Sequence, residues 1–103
     1  MFCILLISRV SEGTLMGYTI YYRIKLDEPE RAFHFIERAC RGLGMECELE
    51  EERILIRCPF VEPLIIKNGE GFAKTYGREP CTSLYLLLLL SLSAFGSVEL
   101  WED

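Results

Sequence analysis

At 103 residues the chain has room for one hydrophobic core, and a single α+β domain over residues 1–103 is expected. Half of the residues are hydrophobic and 12% are aromatic, which excludes a disordered chain. The formal net charge of −5 repels a phosphate backbone unless basic residues gather on one face, so composition alone sets nucleic acid aside as a partner.

Met1 to Ile7 is apolar but has neither a basic leader nor a small-residue cleavage site after it, so no export signal is read there. The regular pattern begins only after Met16-Gly17, leaving Met1 to Leu15 as an extension ahead of a start at Met16 or as an additional strand. From Tyr18 to Leu26 the residues alternate, with Tyr18, Ile20, Tyr22, Ile24 and Leu26 on one face and Thr19, Tyr21, Arg23 and Lys25 on the other, the signature of a half-buried strand. Asp27-Glu28-Pro29-Glu30 then places acids and a proline where a helix starts. Phe33, Ile36, Cys40 and Leu43 recur at helical spacing opposite a solvated ladder of Glu30, His34, Glu37, Arg38 and Arg41, and Gly42 and Gly44 end the helix. His34 belongs to that ladder and is given no catalytic role.

Met45, Cys47 and Leu49 alternate with glutamates, and Arg53 to Cys58 reads as a returning strand. Setting Leu49 opposite Ile54 puts Cys47 by Ile56, Met45 by Cys58, Glu46 by Arg57 and Glu50 by Arg53, so both faces agree on one antiparallel register. Glu51-Glu52 is poor chemistry for a two-residue turn, and a four-residue loop of the same parity is expected. Leu64 to Lys67 reads as an edge strand turning at Asn68-Gly69 into a partner that runs through Phe72. After a polar loop over 74–82, the apolar run from Ser83 to Phe95 reads as a helix stopped by Gly96, and Val98 to Trp101 as a last short strand. That helix would rise about 20 Å against roughly 30 Å of hydrocarbon, so it is read as a core or subunit-interface helix and not as a membrane span. Its leucines exceed one stripe, which points to a homo-oligomer. The element order predicts a two-layer α+β sandwich: an antiparallel or mixed sheet of four to six strands with two helices on one face, ferredoxin-like or a variant of it.

The five cysteines, Cys3, Cys40, Cys47, Cys58 and Cys81, are odd in number and lack close pairs, which reads as reduced thiols in a cytoplasm and not as a disulfide framework. They also lack metal-ligand spacing, so neither a metal nor a cofactor is expected. No nucleophile elbow or spaced acid pair supplies a catalytic residue.

Two polar features remain. In the stretch from Gly71 to Ser83, Thr82 or Ser83 caps the leucine-rich helix, Lys74 and Arg78 add positive charge, and Tyr76 flanks the loop, so a phosphate- or carboxylate-sized anion fits there. Ordinary capping explains the same residues. The segment Asn68-Gly69-Glu70-Gly71-Phe72-Ala73-Lys74-Thr75-Tyr76 resembles the aromatic strand motif of the RNA-recognition-motif family, although Glu70 stands where that family favours a basic residue. The resemblance implies bases stacked on Phe72, Tyr76 and Tyr21. The expected function is therefore a small non-enzymatic binding or assembly module, with a small-anion-binding protein or enzyme using the 71–83 loop and RNA binding as the alternatives.

Overall fold

The computed structural model describes residues 18–102. The expectations for Met1 to Gly17, including Cys3 and a start at Met16, lie outside the described residues. The elements follow in the order β1 (Thr19–Leu26), α1 (Pro29–Leu43), β2 (Glu46–Glu50), β3 (Arg53–Arg57), β4 (Leu64–Lys67), β5 (Gly69–Lys74), α2 (Cys81–Ser91), a 3-10 turn (Leu92–Phe95) and β6 (Gly96–Glu102). The class is α+β, as expected. Where one sheet was expected, the strands divide into two antiparallel three-stranded sheets, β5-β1-β6 and β2-β3-β4.

From Ile20 onward alternation sets β1 as read, with Ile20, Tyr22, Ile24 and Leu26 buried and Arg23 and Lys25 exposed, whereas Thr19, expected on the outward face, is buried. In α1, Pro29 occupies the first turn, where its missing N–H costs nothing, and Gly44 at φ 77° ends the helix in the left-handed conformation. Ala32, Phe33, Ile36 and Cys40 form its buried stripe, while Leu43, expected to continue it, is exposed in the last turn. His34 lies on the solvated side, 3.8 Å from the Glu37 carboxylate.

The β2–β3 register is the expected one, with Glu46 opposite Arg57, Cys47 opposite Ile56, Leu49 opposite Ile54 and Glu50 opposite Arg53. Its turn is shorter than expected, because only Glu51 and Glu52 separate the strands. Both glutamates are exposed, so their charges stay hydrated, and an Arg53–Glu50 ion pair of 2.6 Å closes the base of the turn.

Asn68-Gly69 does turn the chain, with Gly69 at φ 115°, but its two arms join different sheets: β4 pairs with β3 and β5 with β1. The physical reason is Tyr22. Its ring crosses the backbone at Gly71, where a Cβ would lie 2.5 Å from the ring Cζ. Its hydroxyl then donates to the Ile65 carbonyl at 2.6 Å and accepts from the Lys67 amide at 3.2 Å, standing in for a β4–β5 ladder. The β4–β5 hairpin is thus an eyelet around a phenol, held at one end by the turn and at the other by the Glu62 amide on the Lys74 carbonyl, 3.1 Å. Asn68 fixes the turn to β1, its Oδ1 accepting from the Leu26 amide at 2.8 Å.

The leucine run is helical, starting at Cys81 and tightening into the 3-10 turn at Leu92. Cys81, Thr82, Tyr85, Leu88 and Leu89 face the core, where Tyr85 donates to the Glu62 carbonyl at 2.9 Å. No helix among the described residues is long and apolar enough to cross a membrane. Helix α1 packs on β2 and β3, and α2 with its 3-10 turn packs on β6, around one core that draws on both sheets.

The cysteine reading needs correction. Cys58, just past β3, is disulfide-bonded to Cys81 at the start of α2, across 23 residues of sequence and a Cα–Cα distance of 5.9 Å. Packing of distant elements brings the two together, and spacing along the chain carries no trace of it. A persistent disulfide belongs to an oxidising environment, so the cysteine pattern no longer supports a cytoplasmic address. Cys40 and Cys47 remain thiols. Burial, and then the neighbouring Cys47, pushes the Cys40 thiol up to about 12, so it stays protonated and inert.

Candidate functional site

The outward positions of β5-β1-β6 are set by the same alternation that buries Ile20, Tyr22 and Ile24. Tyr21, on the central strand, stands opposite Phe72 of β5 and Trp101 of β6. The three rings form one row across the sheet: Tyr21 and Trp101 are stacked, with centroids 5.9 Å apart and planes 13° from parallel, and Phe72 is tilted 41° at 6.2 Å. Phe72 is 57% exposed and the other two rings are half-buried. Such a row is an aromatic surface on the side of the sheet opposite Ile20, Tyr22 and Ile24.

The next row along the strands is ionic. Arg23 lies between Glu70 and Glu99, with Nε 2.9 Å from one carboxylate and Nη1 3.2 Å from the other. Its guanidinium carbon also sits 5.8 Å from the centre of the Trp101 ring. Lys74, opposite Thr19, and Lys25, opposite Ser97, occupy the flanking positions. The outward charges of this sheet are Arg23, Lys25 and Lys74 against Glu70 and Glu99, a balance of one positive charge on a chain that carries −5. The acidic excess lies elsewhere, much of it in Glu46, Glu48, Glu50, Glu51 and Glu52 of the β2–β3 hairpin. Between the aromatic row and the second sheet runs a groove of about 590 Å³ whose lining includes Tyr21, Phe72, Trp101, Ile65, Lys67 and Arg53.

The residues nominated for anion binding differ in their settings. Lys74 ends β5 on the aromatic face, while Thr82 points inward: its hydroxyl donates to the Arg78 carbonyl at 2.7 Å and shares a hydrogen bond with Thr75 at 2.7 Å. Arg78 and Ser83 are exposed, and the Ser83 amide already donates to the Glu79 carboxylate at 3.1 Å. An anion at the start of α2 must displace that carboxylate. Tyr76 has a left-handed backbone, φ 56°, and its hydroxyl donates to Glu62 at 3.3 Å, so it stands apart from the row formed by Tyr21 and Phe72.

Among the described residues no three His, Cys, Asp or Glu side chains are placed to hold a metal ion. The resolved shifts, all upward and led by burial, belong to Tyr22, Cys40 and Tyr85, which serve the core. Tyr85 is pushed up to about 12. The chemistry this arrangement offers is stacking beside fixed charge. Trp101 was missed by the sequence reading, although alternation carried the signal: with Val98 and Leu100 inside, Glu99 and Trp101 must face out. Protein-family models, curated proteins and solved structures were compared with the chain, and none matches it.

Proposed function

We propose that the protein is a non-enzymatic binding module whose working surface is the outer face of β5-β1-β6, and that its ligand there is single-stranded nucleic acid. The observation that carries this reading is the row of rings Phe72, Tyr21 and Trp101. Stacking on such rings is worth roughly 1–3 kcal/mol per base and tolerates any base, because every base has a π-face. The local charge differs from the overall composition: Lys74 lies in the row next to the rings, Lys25 lies beyond the Arg23 row, and the glutamate-rich hairpin belongs to the other sheet. Two of the three aromatics that the RNA-recognition-motif resemblance implies, Tyr21 and Phe72, are cross-strand neighbours here. The β-α-β-β-α-β order, with the β4–β5 hairpin inserted ahead of α2, supports reading the fold as a variant of the ferredoxin-like arrangement.

Trp101 is the sole tryptophan and reports on the site directly. Short single-stranded homopolymers at low salt are expected to quench its fluorescence and to shift the NMR signals of Tyr21, Arg23 and Phe72 together. Phe72→Ala and Tyr21→Ala are each expected to weaken binding about tenfold. Shifts confined to residues 74–83, and reproduced by inorganic phosphate alone, would transfer the reading to the anion loop. No response from any oligonucleotide would end it.

A second reading, self-association, rests on Leu87, which is 59% exposed on a helix with no charged residue from Cys81 to Ser91. Leu84, Leu86 and Leu90 are partly exposed beside it. This reading expects dimers in sedimentation at micromolar concentration, converted to monomers by Leu87→Glu. A wild-type chain that sediments only as monomer contradicts it.

A further inference from the structure

We propose that Glu70 and Glu99 act as a built-in competitor for the Arg23 guanidinium, so that a ligand phosphate reaches this cation only by displacing them. The inference rests on the nucleic-acid reading of the aromatic face and assigns the control of that site. Arg23 stands on the central strand, and each neighbouring strand presents one carboxylate to it, at 2.9 and 3.2 Å. The two acids occupy Nε and Nη1, and the guanidinium rests beside Trp101, the ring on which a base would stack. Lys25 and Lys74 on the same face have no ion-pair partner among the described residues. The three cations of the face therefore divide into two that meet a ligand directly and one that is held.

The hold is weak by construction. All three side chains of the cluster are roughly half exposed or more, and ion pairs in such positions are screened by salt and contribute little to stability. A phosphate offers the guanidinium a bidentate, charge-assisted partner and can exchange for a carboxylate at little cost. Glu70 and Glu99 consequently lower the affinity of the face without blocking it, and they make Arg23 contribute only when the ligand phosphate lies beside Trp101. The competing explanation, ordinary cross-strand pairing that steadies the sheet, makes the opposite prediction for binding.

The test is fluorescence anisotropy of a labelled single-stranded oligonucleotide against the wild-type chain, Glu70→Gln/Glu99→Gln, and that double variant carrying Arg23→Gln. A Glu46→Gln/Glu48→Gln control makes the same charge change on the second sheet. The Glu70/Glu99 variant is expected to bind roughly five- to tenfold tighter, with a salt slope steeper by about 0.7, one further phosphate contact on a single strand. Adding Arg23→Gln should abolish that gain, and the control should reproduce only a minor part of it. Wild-type binding with an unchanged or weakened Glu70/Glu99 variant, or a gain that survives Arg23→Gln, overturns the competitor role and leaves the aromatic site standing. Absence of binding by every variant overturns the nucleic-acid reading and this inference with it.

Discussion

Replacing Cys58 and Cys81 with alanine is expected to lower the stability of the folded chain by about 3 kcal/mol. The bond closes a loop whose ends are 23 residues apart. Losing such a closure returns about 3 kcal/mol of conformational entropy to the unfolded chain, against a total stability of roughly 5–15 kcal/mol for domains in general. In a domain of this size that is a fall in Tm of roughly 10–25 °C. The enclosed segment carries β4, the Asn68-Gly69 turn and β5, so it includes Phe72 and the Glu62–Lys74 closure. A reductant should destabilise the wild-type chain by a similar amount while leaving the alanine variant unchanged, since the other cysteines among the described residues, Cys40 and Cys47, are unpaired thiols. Urea unfolding with and without dithiothreitol measures both effects. Equal midpoints for all four samples would show that this bond does not constrain the chain in solution.

How much of this architecture could be read from the residues depends on how local each determinant is. The β2–β3 register was legible because two faces constrain it at once: a one-residue slip would expose Cys47 and Leu49 and part Glu46 from Arg57. In β1 period-two spacing holds from Ile20 to Leu26, in α1 helical spacing holds from Phe33 to Cys40, and Gly44 marks the helix end. The division into two sheets was not legible. Asn68-Gly69 announces a turn but cannot say which strand each arm will pair with, and Gly-Glu-Gly-Phe-Ala-Lys has too few large side chains to declare a face. The choice is made by Tyr22, a residue more than 40 positions away, whose hydroxyl takes the place of the missing ladder. The disulfide is a long-range outcome of the same sort. At the candidate site, the resemblance found Tyr21 and Phe72 but took Tyr76 for a neighbour, because the left-handed turn at Tyr76 and Gly77 bends the chain off the sheet. The Ser83 amide was the reverse case. Glu79, four residues earlier, is its local acceptor, and neither Thr82 nor Ser83, both inside a helix that starts at Cys81, caps it.

Since Tyr22 and Gly71 fit each other at contact distance, their substitutions are expected to be strongly non-additive. Tyr22→Phe leaves the Ile65 carbonyl and the Lys67 amide without the hydroxyl that serves both, a loss of about 1–3 kcal/mol. Tyr22→Ala also empties a fully buried site in the core and should cost about 3–5 kcal/mol. Gly71→Ala in the wild-type chain forces a methyl group against the phenol, where the ring Cζ would be 2.5 Å away, and overpacking of this kind costs about 1–3 kcal/mol. The backbone at Gly71 is not left-handed, so alanine meets no conformational penalty there. With the ring removed, Gly71→Ala should become neutral or even stabilise by a few tenths of a kcal/mol, as alanine narrows the unfolded ensemble. A double-mutant cycle by urea denaturation should then return a coupling of about 1–3 kcal/mol, large for a pair in which one member has no side chain. Simple additivity would mean that the phenol does not lie across β5, and that something other than Tyr22 keeps the two sheets apart.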